Sequence, residues 1–136
     1  MLERIQLIHN AGFAFCDLKL ENILIGIHQS LPKPSAHDIK ELLKDKNIFK
    51  NISINLIDLG MSKRFINKDT GEHIFRHDVK EFEGNLITAS INQLQFMSPS
   101  ARDDLESIVY IVCFIANKGK LPGIKASYDD FSIGIK

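Results

Sequence analysis

The sequence predicts a single domain that mixes helices with short strands, and three stretches predict it. Leu2, Ile5 and Ile8 recur at near-helical spacing. Apolar runs around Ile23–Ile27 and at Ile52, Ile54, Leu56 and Ile57 read as strands, and Ser100 to Gly119 reads as a long helix. The 136 residues suffice for one core, and 44% hydrophobic with 25% charged residues is an ordinary globular composition. Net charge is zero without an acidic or basic block, which gives no support to nucleic-acid or membrane partners. The longest apolar run, Ile108 to Ala116, is too short for a bilayer, and the N-terminus lacks a signal-peptide layout. Cys16 and Cys113 stand far apart without metal spacing or a disulfide framework, so a reduced, intracellular setting is expected.

In chain order, Gly12 is a suitable stop for the first helix. His9, near that end, reads as a packed or exposed helix-end histidine. The stretch Phe15-Cys-Asp-Leu-Lys-Leu-Glu-Asn22 then places a carboxylate (Asp17), an ammonium (Lys19) and a carboxamide (Asn22) in one loop before a strand. These groups suit phosphoryl transfer. A carboxylate can orient and deprotonate a hydroxyl, a lysine can steady a phosphate, and an asparagine oxygen can hold magnesium. Cys16 reads as a small buried hydrophobe rather than a nucleophile, because nothing nearby in sequence would activate it. Downstream, Asp58 leaves an apolar strand into the turn at Gly60. A carboxylate at the end of a buried strand is costly unless paired or bound to a cation, which favours a magnesium role.

The last helix has Ser100 as its cap, Asp103 and Asp104 in its first turn and Gly119 at its end. Leu105, Ile108, Val109, Val112 and Ala116 line one face. Ile111, Cys113, Phe114 and Ile115 make it apolar nearly all round, so a buried helix is expected.

The loop around Asp17 and the stretch Leu56-Ile-Asp-Leu-Gly60 resemble the catalytic loop and magnesium motif of protein kinases. Glu83-Gly-Asn-Leu-Ile-Thr-Ala-Ser-Ile-Asn92 and Ser100-Ala-Arg-Asp-Asp-Leu-Glu-Ser-Ile108 are similar to the casein kinase I family. There Ser-Ile-Asn replaces the usual Ala-Pro-Glu, and Arg-Asp-Asp-Leu-Glu-Ser opens a central helix. The resemblance covers most of residues 1–125. It implies an α+β, protein-kinase-like fold: a mainly helical large-lobe fragment, with a small β-hairpin at the catalytic loop and the small lobe absent. The sequence contains no glycine-rich loop, no Val-Ala-Ile-Lys lysine and no partner glutamate. Exposed apolar patches and marginal stability are therefore expected.

On this resemblance residues 1–136 form a partial kinase domain. Residues 1–27 hold a helix end, the catalytic loop and a strand, and 52–92 the magnesium motif and activation segment. Residues 93–120 hold the central helix and 121–136 a tail. Residues 28–51 exceed the short hairpin of the family. Pro32 and Pro34 mark a turn, Ser35-Ala-His-Asp38 resembles a capping box, and Ile39, Leu42 and Leu43 share a helical face. The stretch 35–47 is thus a candidate docking segment. A loop insertion without a role and an unremoved intron are the alternatives.

The implied activity is serine/threonine protein kinase, passing the ATP γ-phosphate to protein substrates with ATP and Mg2+ as cofactors, in the cytoplasm and/or nucleus. The implied roles are Asp17 as base, Lys19 at the phosphoryl group, Asn22 and Asp58 on magnesium, and Asp104 bracing the loop backbone. Lys80 would contact a substrate anion. The departures are Phe15-Cys16 for His-Arg, Asn85 for threonine and Ile87 for arginine. Cys16 cannot pair with an anion of the activation segment as that arginine does. A catalytically inactive pseudokinase fragment acting as a protein-interaction module is the alternative, with a magnesium-dependent hydrolase built on Asp17 and Asp58 as a third reading.

Overall fold

Helix α1, Leu2–Asn10, is held by one apolar residue per turn: Ile5 is buried and Ile8 packs beside it, while Leu2 stays exposed. These features come from a computed structural model that describes residues 1–27 and 52–121. The candidate docking segment 35–47 and nearly all of the 121–136 tail lie outside the described residues. Gly12, at φ +82°, donates its N–H to the His9 carbonyl at 2.8 Å and closes α1 in the left-handed conformation that glycine adopts freely.

Beyond that stop, β1 (Phe13–Ala14) leads into the loop, and a 3-10 turn at Leu20–Asn22 leads out of it into β2, Ile23–Ile27. Strand β3, Ile52–Leu56, pairs antiparallel with β2, Ile23 opposite Leu56 and Ile27 opposite Ile52. The two stretches expected as strands therefore form one ladder. Its last rung continues as Ile57 N–H to the Asn22 carbonyl at 3.0 Å, which places the start of the Asp58 turn beside the end of the loop. A second, two-residue ladder joins β1 to β4, Lys63–Arg64. Such a short pair is too brief to show alternation in sequence.

The strand before Asp58 is not buried as expected. Leu56 packs on the core, but Ile52 and Ile54 are only partly buried and Ile57 is exposed. In β2 the neighbours Leu24 and Ile25, which point to opposite faces, are both exposed, so neither face of this two-stranded ladder is fully covered.

Helix α2, Ile91–Leu94, starts with a reciprocal cap between Ser90 and Gln93, and α3, Ala101–Ala116, with one between Ser100 and Asp103. At the end of α3, Gly119 N–H reaches the Phe114 carbonyl at 2.8 Å. The core consists of Ile5, Phe15, Leu18, Ile108 and Ile111, so α3 meets α1 and the loop along one stripe. All-round burial of α3 is thereby corrected. Its covered stripe runs through Asp103, Asp104, Ser107, Ile108 and Ile111, whereas Leu105, Val109, Val112 and Ile115 are about half exposed. Polar residues hold the covered face because each has a hydrogen-bond partner there. Among the described residues no helix is long and apolar enough to cross a membrane.

Candidate active site

The loop from Phe15 to Asn22 is fastened from both sides. On its amide side, Phe15 N–H donates to Asp104 Oδ2 at 2.7 Å and Cys16 N–H to Asp104 Oδ1 at 2.9 Å. Asp104 is 1% exposed, and His9 Nε2 lies 2.8 Å from its Oδ2. A carboxylate only accepts, so Nε2 carries the proton in this contact. His9 also meets Phe65 edge-on. On the carbonyl side, Ser62 Oγ donates to Phe15 O, Gln93 Nε2 to Cys16 O and Thr88 Oγ1 to Leu18 O. The apolar anchors are Phe15 and Leu18, both fully buried.

These fastenings hold Cys16 at φ +69°, a left-handed conformation that costs a non-glycine residue about 1 kcal/mol or more. Asp58 is held likewise at φ +63°. Burial, followed by the Asp104 carboxylate, pushes the Cys16 thiol up to about 12. The sulfur donates to the Ala14 carbonyl at 3.5 Å. A protonated, buried thiol is no nucleophile, in keeping with its sequence reading as a small hydrophobe.

Within this frame Asp17 is 3% exposed, and its Oδ2 takes both neighbouring donors. Lys19 Nζ lies at 2.7 Å and Asn22 Nδ2 at 3.1 Å, with Asn22 Nδ2 also 2.9 Å from the Asp17 carbonyl. Asp17, Lys19 and Asn22 are thus brought together, and Oδ1 of Asp17 is the oxygen that these donors leave open. Asn22 spends its nitrogen on Asp17, so its Oδ1 is the atom available to a cation. Asp58 is exposed and its Oδ1 accepts Gly60 N–H at 3.1 Å. Asn22 O accepts Ile57 N–H at 3.0 Å, so the end of the loop and the start of the Asp58 turn adjoin, and the side-chain atoms they offer a cation are oxygens. That set fits magnesium, a hard cation that takes one or two protein oxygens and shares the rest with phosphate and water.

Lys80 is exposed and engages no partner among the described residues. Asn85 turns its Oδ1 to Ile87 N–H at 2.9 Å, a local turn contact. Lys63 and Glu83 form an ion pair at the edge of the site, with both side chains over a third exposed.

Three residues that now matter were not singled out for these contacts. His9 meets Asp104 across 95 positions, and no local pattern signals such a pair. Asp103, expected only as a first-turn acid, accepts from Ser90 Oγ at 2.7 Å, Asn92 Nδ2 at 2.8 Å and Ser100 N–H at 2.7 Å. It therefore ties the Ser-Ile-Asn stretch to α3. Burial alone would raise its carboxyl, but the donations of Asn92, Ser90 and Ser100 outweigh this and hold it below the usual range. Gln93 shares its spacing with Ser90 as Asp103 does with Ser100, and that capping pattern was the available signal.

No protein-family model matches the chain. It is 32% identical over 128 residues to casein kinase I homolog 3 of Saccharomyces cerevisiae (strain ATCC 204508 / S288c). The likeness is to a casein kinase I homologue. It extends over 93% of this chain, which spans only 24% of the length of that relative. The similarity supports reading this chain as a casein kinase I-like kinase segment.

Proposed function

We propose that the site serves phosphoryl transfer from ATP to a serine or threonine hydroxyl of a protein. The observation that carries this is the convergence of Lys19 Nζ and Asn22 Nδ2 on one oxygen of buried Asp17, in a loop clamped by Asp104. Asp17 Oδ1 then faces the incoming hydroxyl, orients it and accepts its proton as the oxygen attacks. Lys19, a mobile point charge, steadies the transferred group's oxygens as negative charge redistributes. Asn22 Oδ1 and the Asp58 carboxylate would hold magnesium. ATP would supply the phosphoryl group, and magnesium the charge that offsets its oxygens. Lys80, exposed and unpaired among the described residues, is the proposed contact for an anion on the substrate.

The test is Asp17→Asn in the full-length protein, read by phosphate transfer to a serine/threonine peptide. Transfer should fall by about 10²-fold or more with folding unchanged. Undiminished transfer would overturn the reading.

A second reading, a protein-interaction module without catalysis, is favoured by one observation. Leu86, Ala89, Leu94, Val109 and Leu121 line a groove of about 390 Å³. An apolar recess of this kind suits a partner. The same variant separates the two, because a binding module keeps its function when Asp17 becomes Asn.

A further inference from the structure

Phe75 is 92% exposed, yet its backbone is held on both sides. Ile74 N–H donates to the Phe65 carbonyl at 2.8 Å, and His77 N–H donates to Ser98 Oγ at 3.0 Å. His77 Nδ1 lies 3.0 Å from the Phe75 carbonyl itself, and because a carbonyl only accepts, that nitrogen carries the proton. An aromatic side chain left in water on a fixed span of backbone has the form of a contact anchor, not of a core residue. Beside it, Arg76 is exposed and has no hydrogen-bond or ion-pair partner among the described residues.

The groove lined by Leu86, Leu94, Val109 and Tyr110 has the complementary features. Its volume is about 390 Å³. A cavity of about 150 Å³ already takes a benzene molecule, so a phenyl side chain fits with room for flanking chain. A carboxylate is fixed beside it. Glu106 Oε1 accepts the Tyr110 hydroxyl at 2.7 Å and the Ile91 N–H at 2.9 Å, so its charge is anchored one turn from a groove residue. An apolar recess next to a carboxylate matches a phenyl next to a guanidinium, in polarity and in sign of charge. Phe75 does not fill this groove in its own chain. It lines a different recess with Pro99 and Arg102 at the start of α3, whereas Val109 lies about two turns further along that helix.

We propose that a second copy of this chain occupies the groove, with Phe75 of one copy entering it and Arg76 facing Glu106 of the other. The contact joins two different patches and is therefore heterologous. Each pair keeps a free phenyl at one end and a free groove at the other, so copies add head to tail. This gives the groove of the second reading a definite occupant and rests on nothing at Asp17. Its test has no catalytic readout, so the contact and the proposed activity fail separately.

Sedimentation velocity of the full chain tests it. The wild type should pass from monomer to dimer and longer species as concentration rises. Phe75→Ala removes the anchor, and Val109→Arg fills the groove and sets a like charge against Arg76. Both positions are more than half exposed, so the fold should hold. Each variant alone should associate about 10-fold or more weakly, the scale of losing a central anchor. Mixed in equal amounts, the two should recover association and stop at a dimer, because one keeps the groove and the other keeps the phenyl. Should Val109→Arg fail to fold, Arg76→Glu tests the same contact by setting two carboxylates face to face, and wild-type association of that variant would count against it. A wild type that stays monomeric at every concentration would overturn the contact and leave the groove to residues 122–136 or to another protein. Phe75→Ala that associates like the wild type would overturn it in favour of a symmetric apolar contact. A mixture that forms no dimer would overturn it as well.

Discussion

Asp104 Oδ2 accepts the backbone N–H of Phe15 at 2.7 Å across 89 positions of sequence, and its other oxygen takes the next amide. A single carboxylate at the start of α3 thus sets the backbone that carries Asp17. Asp104→Ala should leave two buried amides without an acceptor and cost roughly 3 kcal/mol. Asp104→Asn keeps one acceptor and should cost about half as much. Urea unfolding of both variants checks the ranking, and equal losses would mean that the amides find other partners.

Asp103 makes stability depend on pH from the acid side. Its folded carboxyl lies below the ordinary 3.8, so below that value the unfolded chain binds more protons than the folded one. The contribution is complete above 3.8 and is lost as pH falls toward the lowered folded value. Asp103→Asn should flatten this acid limb. Denaturation midpoints measured across the acid range decide it, and an unaltered acid limb counts against the account.

Cys16 acts on the alkaline side. Its thiol ionises at 9.0 when free in the unfolded chain but only near 12 when folded, so between these values stability falls as pH rises. The same burial protects it from reagents. At about pH 8, a thiol-alkylating probe should label half-buried Cys113 and spare Cys16 until the protein unfolds. Mass spectrometry of the labelled peptides reads the outcome directly.

Lys19 keeps part of its side chain in solvent while its Nζ rests on Asp17. Lys19→Met should lower kcat for peptide phosphorylation by about 10²-fold with little change in KM, as expected for a charge that matters most in the transition state. A rise in KM at constant kcat would instead assign Lys19 to ground-state binding.

Much of the backbone plan was legible because it is written in local patterns. The β-branched runs at Ile23–Ile27 and from Ile52 mark the ladder, Gly12 and Gly119 mark helix ends, and Ser100 marks a cap. Motif order likewise led to Asp17, Lys19 and Asn22 within eight residues of one another. Burial was read less well. Apolar composition predicted a covered α3 and a covered ladder, yet which side meets the core depends on neighbours that periodicity does not name. The pairings of His9 with Asp104, Asp103 with the Ser-Ile-Asn stretch and Gln93 with the Cys16 carbonyl were likewise invisible. The chain's own letters therefore determined its elements and the polar groups available to a site, since propensity and spacing act over a few residues. Only tertiary structure decided which buried carboxylate and which carboxamide would hold the loop, because satisfying a buried amide depends on what lies within 3 Å in space, however distant in sequence.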